Sequence, residues 1–334
     1  MKSVLITGAN GFIGSFLVKA ALEKGYQVTA GIRPTSDLSY LKGLDITYLQ
    51  MDLSNKSSLA EVLMRHVNKV GYFDYVIHNA GVTNSIYKQD YDTVNYQYTK
   101  NLVKVLIDYC FVPDKFIYMS SLSSYGPLNE ASMKPIREDD QPKPATLYGK
   151  SKLKAEQFLA STERLPYLIF RPTGVYGPRE KDFLVMYKMI NRNLETYIGT
   201  SSQKLTFIYV KDLARLIMKA LDSDISRKSY FVTDGNQYSA LEFSKIVKTI
   251  LNKKTVKVVF PKAMVWAMAY MLEKLSGLSG KTPTLNTEKL KEISRKHFLC
   301  DSSPLFSDFD FEPAYDLTNG LQETIEWYKQ ENWL

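Results

Sequence analysis

Ser3-Val4-Leu5-Ile6-Thr7 is a short apolar run that ends in Gly8-Ala9-Asn10-Gly11-Phe12-Ile13-Gly14. A helical pattern follows through Phe16, Leu17, Ala20, Ala21 and Leu22, and Gly25 closes it. Strand, glycine turn and helix, in that order, restrict the fold more than any other stretch. Glycines at the end of a strand let the backbone approach a pyrophosphate, whose charge then rests on the free amides of the helix. The spacing is Gly-x-x-Gly-x-x-Gly, a departure from the commoner Gly-x-Gly-x-x-Gly dinucleotide loop.

Alternation continues downstream and predicts an α/β fold: a Rossmann-type doubly wound parallel sheet with a smaller C-terminal substrate-binding domain. The second strand, Gln27 to Ile32, runs into Arg33-Pro34-Thr35-Ser36. An acid at that strand end would chelate the ribose hydroxyls of NAD, whereas an arginine can pair with a 2′-phosphate. Here Arg33 stands there and no acid appears before Asp37, so NADP(H) is favoured over NAD(H). The third strand, Ile46 to Leu49, leads to Met51-Asp52-Leu53. Asp52 can accept from an adenine amino group or cap a helix from Ser57. The fourth strand delivers Tyr75-Val76-Ile77-His78 to Asn79-Ala80-Gly81, and His78 reads as a packed, hydrogen-bonded core residue. Val94-Asn95 opens or sits within the next helix, Tyr98 to Tyr109. The fifth strand, Phe116 to Met119, ends in Ser120-Ser121-Leu122-Ser123-Ser124-Tyr125-Gly126, where parallel sheets bind ligands. The proline-rich segment 135–144 is expected to line the mouth of the site.

Tyr148-Gly149-Lys150-Ser151-Lys152 places a phenol and an ammonium four residues apart, on one helical face. A phenol titrates near ~10 when undisturbed, and a nearby positive charge lowers that value. Such a pair can move a proton to or from an alcohol.

Taken together these segments resemble the extended short-chain dehydrogenase/reductase family, which includes nucleotide-sugar epimerases and dehydratases, dihydroflavonol reductases and 3β-hydroxysteroid dehydrogenases. The cofactor loop is Thr7 to Gly14, the adenine position Asp52-Leu53, the strand-four motif His78 to Gly81. Ser120 to Gly126 resembles the serine segment and Tyr148 to Lys152 the Tyr-x-x-x-Lys motif. Arg171-Pro172-Thr173-Gly174-Val175-Tyr176-Gly177-Pro178 is similar to the segment that meets the nicotinamide, and Phe207 to Asp212 to a later strand-to-helix junction. The resemblance implies Tyr148 as general acid/base and Lys152 as the group that lowers its pKa and binds the nicotinamide ribose. It implies Ser121 on the reacting oxygen and Asn95 near the proton path. Gly8, Asn10, Gly11, Phe12, Ile13, Gly14, Arg33, Asp52, Leu53, Asn79, Ala80, Gly81, Pro172, Thr173 and Val175 would hold the cofactor with Tyr148 and Lys152. No metal is called for. The family's sugar 4,6-dehydratases carry an acidic pair directly after the catalytic hydroxyl residue; here Leu122-Ser123 stands in its place, which disfavours dehydration.

The resemblance also implies a division into a dinucleotide-binding part, 1–176 plus 206–232, and a substrate-binding cap, 177–205 plus 233–334. In the second half Asp182 to Asn193 reads as a helix, Tyr197 to Phe207 as strands, Asp212 to Asp222 as an amphipathic helix, Ser229 to Val232 as a strand and Tyr238 to Leu251 as a helix. Ala263 to Leu272 is apolar nearly all round. It is too short for a bilayer, which takes ~20 residues. It predicts a buried cap helix, an apolar wall for a hydrophobic substrate, or a membrane-surface contact. The tail, Thr282-Pro283-Thr284-Leu285-Asn286 to Trp333-Leu334, is closer to the reductase and steroid-dehydrogenase branch than to epimerases.

At 334 residues, 45% hydrophobic and 23% charged, the chain can bury a substantial core. Cys110 and Cys300 show neither metal spacing nor a disulfide framework. No signal peptide or transmembrane stretch is expected. The net charge of +8 is scattered, with lysine-rich spots at 253–254 and 289–296 interrupted by acids, which argues against a nucleic-acid stripe. The sequence therefore predicts a cytoplasmic, NADP-dependent enzyme, homodimeric as the resemblance implies, that interconverts a ketone and a secondary alcohol on a rather apolar small molecule. The alternative is a nucleotide-sugar epimerase or reductase, with Arg179, Lys181 or Arg192 on the diphosphate. A non-catalytic NADPH-binding redox sensor is the third reading; it has no use for a proton donor at Tyr148.

Overall fold

A computed structural model describes residues 1–127, 133–199, 203–279, 285–295 and 297–334. The first half alternates as β1 (Ser3–Thr7), α1 (Phe12–Glu23), β2 (Gln27–Ile32), β3 (Thr47–Gln50), α2 (Lys56–Val70) and β4 (Tyr75–His78). One helical turn, α3 (Gln89–Asp92), passes through a π turn at Thr93–Gln97 into α4 (Tyr98–Asp108). Then come β5 (Lys115–Met119), a 3-10 turn at Leu122–Ser124, α5 (Leu147–Ala160) and β6 (Tyr167–Pro172). Beyond it lie β7 (Gly174–Tyr176), α6 (Leu184–Asn191), β8 (Leu194–Ile198), β9 (Lys204–Leu205), β10 (Phe207–Tyr209), α7 (Val210–Leu221) and β11 (Lys228–Val232). The chain closes with β12 (Tyr238–Ser239), α8 (Ala240–Leu251), β13 (Val256–Phe260), α9 (Lys262–Ser279), α10 (Thr287–Ile293), β14 (His297–Phe298), α11 (Ser303–Phe309) and α12 (Leu317–Gln330).

Seven strands form one parallel sheet in the order β11-β6-β5-β4-β1-β2-β3. Strand order reverses between β1 and β4, so the carboxyl ends of those strands open the crevice where such sheets bind ligands. Both faces of the sheet are covered. Val4 and Ile6 point into a core shared with α1, α7 and α11, while Leu5 between them points into a core shared with α2, α4 and α5. That is why the strands read as unbroken apolar runs rather than alternating ones. A third core joins Tyr176, Tyr187, Phe207, Phe243, Leu321 and Tyr328 away from the sheet. α11 returns to the first core through Leu305 and Phe309 and packs on β11 and α7.

Several local expectations shift for identifiable reasons. Asp52 does not cap the helix: its carboxylate accepts from the amide and hydroxyl of Ser54, at 2.9 and 2.6 Å. Asn55 is the cap of α2, accepting from the Ser58 amide at 3.1 Å. α6 starts at Leu184 rather than Asp182, because the Glu180 carboxylate accepts from the amides of Asp182 and Phe183 and ties them into a turn. α8 starts on a capping box between Ser239 and Glu242. The 135–144 segment is tied down: Ile136 bridges to Cys300, and the Tyr125 hydroxyl donates to the Glu138 carbonyl at 2.8 Å.

The largest difference concerns 263–272. It is helical as part of α9, but it is not a buried cap helix. Val265 and Ala269 are buried; Met264, Met268, Tyr270 and Met271 are exposed. Among the described residues no helix is long and apolar enough to cross a membrane. Thr282, Pro283 and Thr284 of the tail segment, and Lys296, lie outside the described residues.

Candidate active site

Close backbone approach builds the floor of the crevice. A Cβ on Gly14 would collide with the Gly8 carbonyl, so only glycine lets α1 fold back over the β1 turn. The Gly11 amide donates to that same carbonyl at 3.1 Å. Gly11 is the N-cap of α1 and offers no side-chain acceptor, so the first amides of the helix face the crevice end uncapped. Asn10, Phe12 and Ile13 are half-buried around it. The end of β4 lies alongside: a Cβ on Gly8 would come 2.9 Å from Ala80, and the Ala80 amide donates to Thr7 Oγ1 at 3.2 Å. The Asn79 side-chain amide points at the Gly8 carbonyl, 3.4 Å away.

His78 stays in the core. Its ring nitrogens bond the Thr7 and Thr99 hydroxyls at 2.7 and 2.9 Å, and complete burial lowers its pKa to about 3. Asn95, also fully buried, lies in the π turn. It accepts from the Val82 amide at 2.8 Å and donates to the Val82 carbonyl and to Ser151 Oγ, both at 3.0 Å. It thus locks the chain after β4 to α5.

Tyr148 and Lys152 occupy the first turns of α5. Thr146 caps that helix by accepting from the Gly149 amide at 3.0 Å. A Cβ on Gly149 would strike the Ser123 carbonyl; the missing side chain lets α5 lie directly on the serine turn. That contact brings Tyr148 close enough to Ser121 for the serine side chain to oppose the rise of the phenol's pKa. Ser121 Oγ also accepts from the Ser123 amide at 3.2 Å. The Lys152 ammonium donates to the Met119 carbonyl at 2.7 Å and lies 4.8 Å from the centre of the Tyr118 ring. A Cβ on Gly81 would be 2.8 Å from Asn95 Oδ1 and 3.3 Å from Lys152 Nζ, so Gly81, Asn95 and Lys152 meet at one point.

The electrostatics differ from the simple pairing of a phenol with an ammonium. Burial pushes the Tyr148 pKa upward, Glu292 adds to the rise, and the Ser121 bond opposes it. Burial lowers Lys152 to about 8, against the pull of Glu156. The phenol is therefore held protonated near neutrality rather than drawn toward the phenolate.

Arg33 stands exposed just past β2, its amide donating to Ser36 Oγ at 3.0 Å. Asp52 and Leu53 follow β3, and the Leu53 carbonyl accepts from Asn101 at 2.9 Å. Pro172 ends β6, the Thr173 amide donates to the Val232 carbonyl at 3.1 Å, and Val175 packs against the first core. Apart from Val175 in β7 and Tyr148 and Lys152 on α5, the predicted cofactor residues thus follow the carboxyl ends of β1, β2, β3, β4 and β6. The uncapped helix start and the glycine cradle fit a dinucleotide.

Two groups escaped the sequence reading. Glu156 accepts from Arg171 Nε and Nη2 at 3.0 and 2.9 Å, and Ser120 Oγ donates to its other oxygen. This buried pair joins α5 to β6 beneath the site. Its signal was visible, since Tyr148, Lys152 and Glu156 recur every four residues. Glu292, on α10, accepts from Ser123 Oγ across 169 residues of sequence, and burial raises its carboxyl to about 7. Nothing local marks it. Its helix is seated by Glu288, which accepts from the Leu147 amide at 2.6 Å and so fills an orphan donor of α5.

Comparison with known proteins agrees with this geometry. Residues 4–232 match the model of the NAD dependent epimerase/dehydratase family. UDP-glucose 4-epimerase of Vibrio cholerae is 26% identical over 99% of this chain and 97% of its own length. Sterol-4-alpha-carboxylate 3-dehydrogenase, decarboxylating, of Dictyostelium discoideum is 24% identical over 87% and 94%. The crystal structure of UDP-glucuronic acid 4-epimerase from Bacillus cereus in complex with NAD superposes with a TM-score of 0.77, covering 98% of this chain and 99% of that one at 24% identity. The chain therefore belongs to the NAD dependent epimerase/dehydratase family, the extended short-chain dehydrogenase/reductases, and is an enzyme acting on CH–OH groups.

Proposed function

We propose that the protein is an NADP(H)-dependent oxidoreductase that interconverts a ketone and a secondary alcohol, with Tyr148 as general acid/base. The observation that carries this reading is the meeting of Tyr148 and Ser121 beside Lys152 at the carboxyl end of β5. The nicotinamide, when bound, supplies or takes up the hydride. Gly8, Asn10, Gly11, Phe12, Ile13 and Gly14 would hold the pyrophosphate, Asp52 and Leu53 the adenine, and Arg33 the 2′-phosphate. Asn79, Ala80, Gly81, Pro172, Thr173 and Val175 would line the rest of the cofactor crevice. Tyr148, kept protonated by burial, gives its proton to the substrate oxygen, which suits reduction of a carbonyl. Ser121 orients that oxygen, and Lys152 binds the ribose. Asn95 is a positioning residue that holds α5 against the π turn.

An apolar substrate is supported by two observations. The sterol dehydrogenase is a relative over most of the chain. Two of the cations that a nucleotide diphosphate would need are held elsewhere: Arg179 donates to Ser15 Oγ at 2.6 Å and stacks 4.2 Å from the Tyr40 ring centre, and Lys181 lies 5.8 Å from that of Trp333. A nucleotide-sugar epimerase is the second reading, favoured by the full-length match to the Vibrio cholerae enzyme. The same proposal takes 1–176 with 206–232 as the cofactor domain, the remainder as the cap, and a cytoplasmic homodimer as the working state.

The test incubates the protein with NADPH or NADH and a panel of hydrophobic ketones and sugar nucleotides. NADPH oxidation with a hydrophobic ketone is expected. Arg33→Ala should raise the KM for NADPH about tenfold, the worth of one charged hydrogen bond, and leave NADH nearly unchanged. Equal losses overturn the NADP assignment. Epimerisation of a sugar nucleotide without net cofactor turnover overturns the ketone reading.

A further inference from the structure

We propose that the outward face of α9 is a membrane-docking surface that seats the protein on an anionic lipid bilayer. The packed side of α9 is narrow: Val265 and Ala269 meet Leu290, with Ile198, Phe260 and Leu285 around them. On the other side Met264, Trp266, Met268, Tyr270, Met271 and Leu275 are each 40–61% exposed. At 3.6 residues per turn these six spread over roughly 200° of the helix, along a length of about 17 Å. A helix exposing that much apolar surface marks an interaction site.

The charges on the helix select the partner. Glu273, the acid among its described side chains, is turned inward and accepts from the Thr287 amide and hydroxyl at 3.2 and 2.6 Å. The outward arc keeps Lys274, whose ammonium lies 5.6 Å from the centre of the Tyr270 ring, and Lys262 stands exposed at the helix start. Lys254 and Lys257, exposed on the approach to α9, add positive charge. Methionines and leucine to sink, Trp and Tyr for the headgroup boundary and lysines to snorkel are what a helix lying in an anionic interface requires. A second copy of the chain, itself carrying +8, would set lysine against lysine at this face. The docking does not rest on the substrate reading above, yet it adjoins the site. Glu273 grips the first residue of α10, and α10 carries Glu288 and Glu292 onto α5 and the serine turn.

The test floats the full chain with vesicles of phosphatidylcholine alone or with phosphatidylglycerol added. Co-flotation with the anionic vesicles is expected, at least tenfold above neutral ones, with a blue shift of Trp266 fluorescence that Trp266→Phe removes. Met268→Asp/Met271→Asp should abolish flotation while circular dichroism, oligomeric state and turnover of a soluble substrate stay unchanged. Lys274→Glu, a milder exposed change, should lower anionic binding severalfold. Absence of flotation, equal binding to neutral vesicles, or a change of oligomeric state in the double variant overturns the proposal.

Discussion

Tyr148, Lys152 and Glu156 recur every four residues along α5, whereas Glu292 reaches the same site from α10, 169 residues beyond Ser123. The first wall is continuous with the sheet: α5 is pinned to β6 by the Glu156–Arg171 pair and to the β4 exit by Asn95. The second wall meets α5 and the serine turn through carboxylates, Glu288 on the Leu147 amide and Glu292 on Ser123, and stands on α9, whose outer face is apolar. A wall made of backbone approach and buried ion pairs sets the position of a proton donor. A wall made of side chains on a separate element can differ in its contacts without moving that donor. The difference teaches that one wall is held by short-range packing and a buried ion pair, and the other by contacts between elements far apart in sequence.

The sharpest way to break the comparison is at Tyr148. Tyr148→Phe should lower kcat by 10²–10⁴-fold, the usual worth of a general acid, while cofactor affinity measured by fluorescence titration is unchanged. Retained turnover would remove the proton-transfer role from the first wall. Next comes Arg171→Met, which strands the Glu156 carboxylate among buried groups. Breaking such a pair by removing one partner costs about 3–5 kcal/mol, readable by denaturant unfolding. A loss below ~1 kcal/mol would mean that α5 is held by packing alone.

The smallest effect separates the second wall. The Glu292 carboxyl titrates at about 7 in the fold against an ordinary 4.5, with burial first, then Asp182 and Glu288 raising it and Lys289 and Arg295 opposing. The folded state thus holds this proton more tightly than the unfolded chain. The stability it contributes is complete below about 4.5 and lost as pH rises through about 7. Glu180 and Asp234, raised by burial to about 7 and about 6, slope the same way. Glu292→Gln should therefore flatten, without abolishing, the fall of Tm between those limits. An unchanged slope would show that the carboxyl is not enclosed against Ser123.

Much of the first wall was legible because it is local. The β1 run, the glycine turn and the start of α5 depend on neighbours within one or two turns, and so did the core placement of His78. The cap of α2 falls to Asn55 rather than Asp52, although both are competent acceptors, because the Ser54 turn occupies the Asp52 carboxylate. α9 was open among three readings because an apolar run has the same sequence whether it is covered or bare.

By itself the sequence determined the parallel sheet, the glycine turn at the start of α1 and the phenol–ammonium pair, since each follows from strand and helix periods and from glycine sterics. Only the tertiary structure decided that burial holds the phenol protonated, that Glu156 pairs with Arg171, that Glu292 arrives from α10, and that α9 faces outward. Those four depend on contacts between distant elements and on removal from water, which no local spacing encodes.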